Sequence, residues 1–189
     1  AQRVESDENK EQVGGKQVEQ LLRDPDLPFG REFTVEVVDS SYSKADYLHA
    51  HRQFRNLVTI ARVRGNRTFY HQPKAETTPV GAGHPTWYGA PFSLADQKTW
   101  GKPDESITFE VRSSRGKVYR IVVEAWYNKL MPVKNKPKLN MHEHPFTLVR
   151  TGRYDQDGTA VYKQPLWVLV MGERRHELTL MQIYQSYCS

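Results

Sequence analysis

Residues 33–63 read FTVEVVDSSYSKADYLHAHRQFRNLVTIARV. Residues 32–38 predict a strand with apolar positions on both faces, the pattern of a strand in the middle of a sheet. The run stops at Asp39, and small hydroxyl residues follow. With Ser43 as N-cap, Asp46 falls at N3 and completes a capping-box pattern. Tyr42 and Tyr47 then occupy the N′ and N4 positions of a hydrophobic staple. The helix is expected to reach about Phe54, and residues 57–63 predict a second apolar strand. A strand–helix–strand unit normally has parallel strands and a right-handed crossover. Both strands therefore end on one sheet edge, which places Asp39 near Arg62 and Arg64.

Two roles for Asp39 stay open on these residues alone. It can close a turn or help cap the helix. Alternatively, a carboxylate at the C-terminal end of a parallel strand stands where α/β folds place ligand chemistry. Hard cations such as Mg²⁺ take oxygen ligands there, commonly one or two protein carboxylates.

The chain of 189 residues suits one domain with a sizeable insertion, and its hydrophobic content of 38% points to a polar surface and long loops. No apolar run is long enough to cross a membrane and no signal-peptide core is visible, so a cytoplasmic protein is expected. Cys188 is the single cysteine, which excludes an internal disulfide. The net charge of +5 is unevenly spread. Residues 47–75 hold Arg52, Arg55, Arg62, Arg64, Arg67 and Lys74 and no acid; residues 112–138 hold eight basic residues against Glu124. Two basic segments of this kind point to a polyanion, with a merely soluble surface as the alternative.

Elsewhere, residues 1–15 read as a poorly ordered polar start and 16–23 as a short helix ended by Asp24-Pro25. Residues 72–104 are rich in Pro, Gly, Thr and Trp and read as a long loop opening an inserted module. Strands are predicted at 106–112, 117–126, 145–150, 159–163 and 166–171, with turns at Arg115-Gly116 and Asp157-Gly158. Residues 177–187 predict an amphipathic helix through Leu180, Tyr184 and Tyr187. The resulting divisions are a flexible 1–15, a core segment 16–72, a β-rich insertion 73–160, and a return to the core at 161–189. Asp155-Gln-Asp-Gly-Thr159 lacks the glutamate that ends a calcium loop, since position 12 is Leu166, so it reads as a hairpin turn. Gly81-Ala-Gly83 lacks a phosphate loop's Lys-Ser/Thr. His142-Glu-His144 reads as a solvated loop rather than a metal site, and Cys188 as a small buried hydrophobe.

The stretch VVDSSYSKADYLHAHRQFRNLVTIARVRGNRTFYHQP resembles the region around the second catalytic aspartate of bacterial insertion-sequence transposases, the DDE superfamily endonucleases. In these, an apolar strand ending in Asp precedes a helix and a strand ending in Arg-x-Arg-x-Asn-Arg, here Arg62, Arg64, Asn66 and Arg67. HPTWYG, FSLADQKTWGKPDE and RHELTLMQIYQSYCS are also similar to this group. In one branch the last catalytic Glu lies on a helix with the pattern Tyr-x2-Arg-x3-Glu-x6-Lys, of which Tyr187-Cys188-Ser189 would be the first three residues.

The resemblance implies an α/β fold, a partial RNase H-like (retroviral-integrase-like) core with a mainly-β insertion. It implies metal-dependent cleavage and strand transfer of double-stranded DNA at transposon ends, with Asp39 as catalytic residue and ligand to Mg²⁺ (or Mn²⁺). Arg62, Arg64, Asn66, Arg67 and Tyr187 are the implied DNA contacts, with Trp87, Tyr88 and Trp100 as candidates for stacking on a base. The first Asp and the Glu of the triad are not evident, so the chain is expected to be an inactive internal fragment. A bacterial, nucleoid-associated homodimer is the implied setting. The competing reading is a non-catalytic β-rich nucleic-acid-binding module.

Overall fold

The computed structural model describes residues 9–73, 87–133 and 138–188. The first helix, α1, spans Lys10–Arg23. It begins six residues before the expected start at 16, inside the segment read as poorly ordered. The reason is a capping box that the sequence reading missed: the Asn9 side chain accepts from the Gln12 amide at 2.9 Å, and the Gln12 side chain accepts from the Asn9 amide at 3.0 Å. Gly14 sits inside α1 because a β-carbon there would lie 2.9 Å from the Tyr42 ring. The bare backbone lets α1 pack closely on the segment after β1.

Strand β1 is Thr34–Val38, helix α2 is Ala45–His51 and strand β2 is Leu57–Val63. The pairing is parallel, Thr34 opposite Leu57 through Val38 opposite Ala61, as the strand–helix–strand pattern requires. The staple forms, with the Tyr42 and Tyr47 rings edge-on at 4.9 Å. The capping box does not. Lys44 is the N-cap and gives no side-chain bond, while the buried Ser43 hydroxyl donates to the Ser40 carbonyl at 2.9 Å. That bond closes the preceding turn, so the hydroxyl is unavailable to the helix.

Two short strands, β3 (Thr68–Tyr70) and β4 (Pro91–Ser93), pair antiparallel in a small sheet absent from the sequence reading. They bury Phe69 and Phe92 completely. Strands β5 (Glu105–Arg112), β6 (Val118–Lys129), β7 (Phe146–Tyr154) and β8 (Leu166–Met171) follow, and α3 (Leu180–Cys188) comes last. Thr179 and Gln182 exchange side-chain and backbone bonds of 2.9–3.2 Å at its start, a second capping box that the sequence reading missed.

The main sheet has six strands in the order β1-β2-β8-β7-β6-β5, and every pair after β1–β2 is antiparallel. It is a mixed sheet with few helices, α/β in character. The stretch expected as an insertion supplies β5, β6 and β7 to this same sheet. The expectation that β1 lies centrally is corrected: among the described residues it is an edge strand. The apolar positions on both its faces misled because Val37 is 43% exposed and Glu36 is bound by its neighbours rather than pointing to water. The strand expected at 159–163 reduces to one bridge between Tyr154 and Ala160. Asp155 Oδ1 there accepts from the Asp157 and Thr159 amides at 3.1 and 2.8 Å, and Gly158 takes φ +80°, a turn with no calcium-loop geometry.

Each face of the sheet carries its own core. On the α2 side, Tyr47, Leu48, Ala61 and Val63 join Trp100, Trp126 and Trp167. On the α3 side, Val58, Ile60, Val123, Val168 and Val170 pack against Leu180 and Ile183. The chain leaves β8 through Gly172 at φ +146°, where a β-carbon would meet the Leu57 carbonyl oxygen at 2.6 Å. Gly172→Ala is expected to destabilise the fold by about 2 kcal/mol or more, from backbone strain and collision together. Urea unfolding followed by tryptophan fluorescence would check this.

Candidate active site

The parallel pair β1–β2 sets the site. Val38 is level with Ala61, so Asp39 leaves β1 beside Arg62. Asp39 Oδ1 accepts from the Ser41 amide at 2.7 Å and from the Ser41 hydroxyl at 2.6 Å, and the Asp39 carbonyl accepts from the Tyr42 amide. Of the two roles left open by the sequence, the turn role is the one observed. One carboxylate oxygen holds an Asx-type turn, and the exposed side chain keeps its other oxygen outside that turn. The Ser41 hydroxyl and amide hold the carboxyl below its usual range, with smaller help from Lys10 and Arg64.

Arg62 is the exposed position of an otherwise buried strand. It lies near enough to Tyr187, near the end of α3, to act on its hydroxyl. Burial raises the Tyr187 hydroxyl; Arg62 opposes that rise and Asp39 adds to it. The C-terminal end of α3 therefore converges with Asp39 and Arg62, two elements far apart in sequence. Arg64 and Asn66 are exposed just past β2. Arg67 is half-buried over the Phe69 ring at 5.3 Å, so part of its surface is spent on packing.

The aromatic candidates do not gather here. Trp100 is buried at 8% exposure, its Nε1 donates to the Ser93 carbonyl at 2.7 Å, and it packs edge-on against Trp126 and Trp167. That corrects Trp100 to a core residue with no free face for a base. Tyr88 lies against Tyr70, with its hydroxyl at 3.4 Å from the Met131 carbonyl. Trp87 is 45% exposed and stacked on His142 at 4.1 Å with the rings 3° from parallel. His144 Nδ1 lies 3.1 Å from an Arg52 N–H group, and burial, Arg52 and His49 together lower its pKa. A neutral imidazole accepting from Arg52 is consistent with both. Gly81-Ala-Gly83 lies outside the described residues.

Among the described residues no group of three or more His, Cys, Asp or Glu is placed to hold a metal ion. Asp39 offers one carboxylate, an incomplete set for a metal pair. No helix among the described residues is long and apolar enough to cross a membrane.

A family model described as DDE superfamily endonuclease matches residues 2–130. The chain belongs to the DDE superfamily endonucleases. The match contains β1, α2 and β2, hence Asp39 and the Arg62–Arg67 run, and supports a nuclease or transposase type of function. Members of this family generally use divalent metals. No curated protein and no solved structure matches the chain.

The residues that the sequence reading missed around this edge are Arg150, Arg153 and Lys163, which line the same cleft as Arg62 and Arg64. Each is an isolated charge in sequence, and only the strand order brings them together. Ser41→Ala removes the hydroxyl that bonds Asp39 while leaving the backbone bond. The Asp39 carboxyl should then titrate closer to the usual aspartate range, read from its side-chain carbon shift by NMR against pH.

Proposed function

We propose that this endonuclease chain is the part of an insertion-sequence transposase that carries the second catalytic carboxylate, on an RNase H-like core, and grips DNA at transposon ends. The observation that carries the reading is the placement of Asp39 at the shared end of the parallel β1–β2 pair, beside Arg62 and Arg64. The convergence of Tyr187 on the same point supports a last carboxylate arriving on a continuation of α3. The setting that goes with it is a bacterial, nucleoid-associated protein that dimerises on paired DNA ends.

In this reading Asp39 would contribute one oxygen ligand to Mg²⁺ or Mn²⁺, which would supply activation of the attacking hydroxyl and stabilisation of the leaving oxygen. Ser41 keeps the Asp39 carboxyl ionised and fixes its direction. Arg62 and Arg64 orient the phosphodiester, since guanidinium groups match phosphate geometry bidentately. Asn66 and Arg67 follow the backbone past the end of β2. The isolated chain, with one carboxylate, should not cut DNA.

A second reading, a non-catalytic β-rich DNA-binding module, draws support from the dominance of β5–β8 in the sheet. It leaves the position of Asp39 unaccounted for.

Binding of a labelled transposon-end duplex by the isolated chain should be weak, with log affinity falling steeply against log salt. Arg64→Ala should lower that slope by about 1. No shift of duplex DNA at low salt contradicts the DNA-binding reading. Strand cleavage with Mg²⁺ that disappears in Asp39→Ala contradicts the inactive-fragment reading.

A further inference from the structure

At the end of the sheet away from Asp39, on the α3 side, lies a cavity of about 420 Å³. It opens between the start of β5, the end of β6 and the start of α3. Its volume suits a small molecule. Leu178, Leu180 and Ile183 give it an apolar floor, and Glu105 and Arg175 give it two opposite charges.

Each charge is held by its own neighbours. Strand β6 bulges between Trp126 and Lys129, and Asn128 within the bulge takes the left-handed φ of +53°. A bulge re-aims a side chain, and here Asn128 Oδ1 accepts from Arg175 Nη2 at 3.0 Å. Arg175 Nη1 donates to the Gly172 carbonyl at 3.2 Å. Both acceptors are neutral. Among the described residues no acid pairs with Arg175, and burial lowers its pKa with no carboxylate opposing the shift. A half-buried guanidinium held only by neutral oxygens lacks a counter-charge, and its Nε–H and one hydrogen on each Nη lie outside those two bonds.

On the β5 side, Tyr127 donates its hydroxyl to Glu105 Oε2. Burial and Glu105 push that hydroxyl up to about 12, so it stays a donor and fixes the carboxylate. Among the described residues Glu105 pairs with no cation. Glu105 and Arg175 therefore line one cavity without neutralising each other. A ligand of one sign would meet an attractive and a repulsive group. A ligand of both signs with a hydrocarbon part would satisfy both charges and cover the apolar floor.

We propose that this cavity binds a small apolar zwitterion of the amino-acid type. Its carboxylate sits on Arg175, its ammonium on Glu105, and its hydrocarbon part on Leu178, Leu180 and Ile183. The site goes beyond DNA processing and does not rest on that reading.

The test is an NMR titration of the ¹⁵N-labelled full chain with leucine, 6-aminohexanoate, hexanoate and hexylamine. The signals to read are the Arg175 Nε–H and the backbone amides of Asn128 and Thr179. At least one zwitterion should shift all three saturably at millimolar concentration, and the tighter of the two reports the spacing of the charges. Hexanoate and hexylamine should bind about tenfold more weakly, since each meets one unlike and one like charge. Glu105→Gln keeps an acceptor for Tyr127; it should weaken zwitterion binding about tenfold and tighten hexanoate binding. Glu110→Gln, on the same strand outside the cavity, should change neither. Glu105 is exposed at the start of β5, so its variant reports binding even if Arg175→Gln, which loses the bonds to Asn128 and Gly172, fails to fold. Hexanoate or hexylamine binding the unaltered chain as tightly as the zwitterions overturns the proposal. So does the absence of a saturable shift with all four probes. Either result leaves the transposase reading standing, because duplex DNA binding is measured separately and does not involve Glu105.

Discussion

The parallel pairing of β1 with β2 is the constraint on which the rest of the site depends. A parallel neighbour sends both strands toward the same edge, and the register of Val38 opposite Ala61 sets Asp39 beside Arg62. An antiparallel pairing would put the carboxylate and the arginines at opposite ends of the sheet. The connection is held by packing rather than by a helix cap. Tyr42 and Tyr47 meet edge-on, Tyr47 donates to Glu36 at 3.0 Å, and His51 Nδ1 lies 3.3 Å from the same carboxylate. Glu36 thus ties α2 to both strands, because Thr59 of β2 also donates to it. Burial and the Glu36 charge raise the Tyr47 hydroxyl far above its ordinary range, so it stays a donor.

Much of this was legible in the sequence because it is local. Residues 57–63 and 166–171 are apolar runs bounded by charge and turn residues, and they form strands at those bounds. The staple spacing survives although the cap shifts by one residue. The hairpin at Arg115-Gly116 forms because Gly116 supplies φ +78°. The edge position of β1, by contrast, depends on what lies beside it. A run with apolar residues on both faces cannot report that Glu36 is satisfied by three partners from two elements.

Long-range assembly hid the remainder. Three tryptophans, Trp100, Trp126 and Trp167, are far apart in sequence and pack within 5.0–5.9 Å of one another. A Pro- and Gly-rich flank made Trp100 look like a surface aromatic, yet its ring is core and Arg150 lies over it at 5.5 Å. The same packing explains the cleft. Trp100 and Glu124 hold Arg150 from the α2 side of the sheet, and Tyr119 holds Arg153. Arg62 of β2 and Arg153 of β7 come to the α3 side of the sheet, and Arg150 to the α2 side, only when β8 inserts antiparallel between β2 and β7. The described basic residues of the segment at 112–138, Lys138 apart, sit on and between β5 and β6, at the far end of the strand order from β1.

The proposal at the centre of this account is that the Asp39 carboxylate is the one presented for a divalent cation. Paramagnetic broadening of backbone amide signals by substoichiometric Mn²⁺ tests it most directly, because the effect is local and reads weak binding. Broadening should be strongest at residues 39–42, extend to the end of β2 and the end of α3, and vanish in Asp39→Asn. Broadening centred on Asp155 and Asp157 or on the acids of α1, and unchanged in Asp39→Asn, would contradict it.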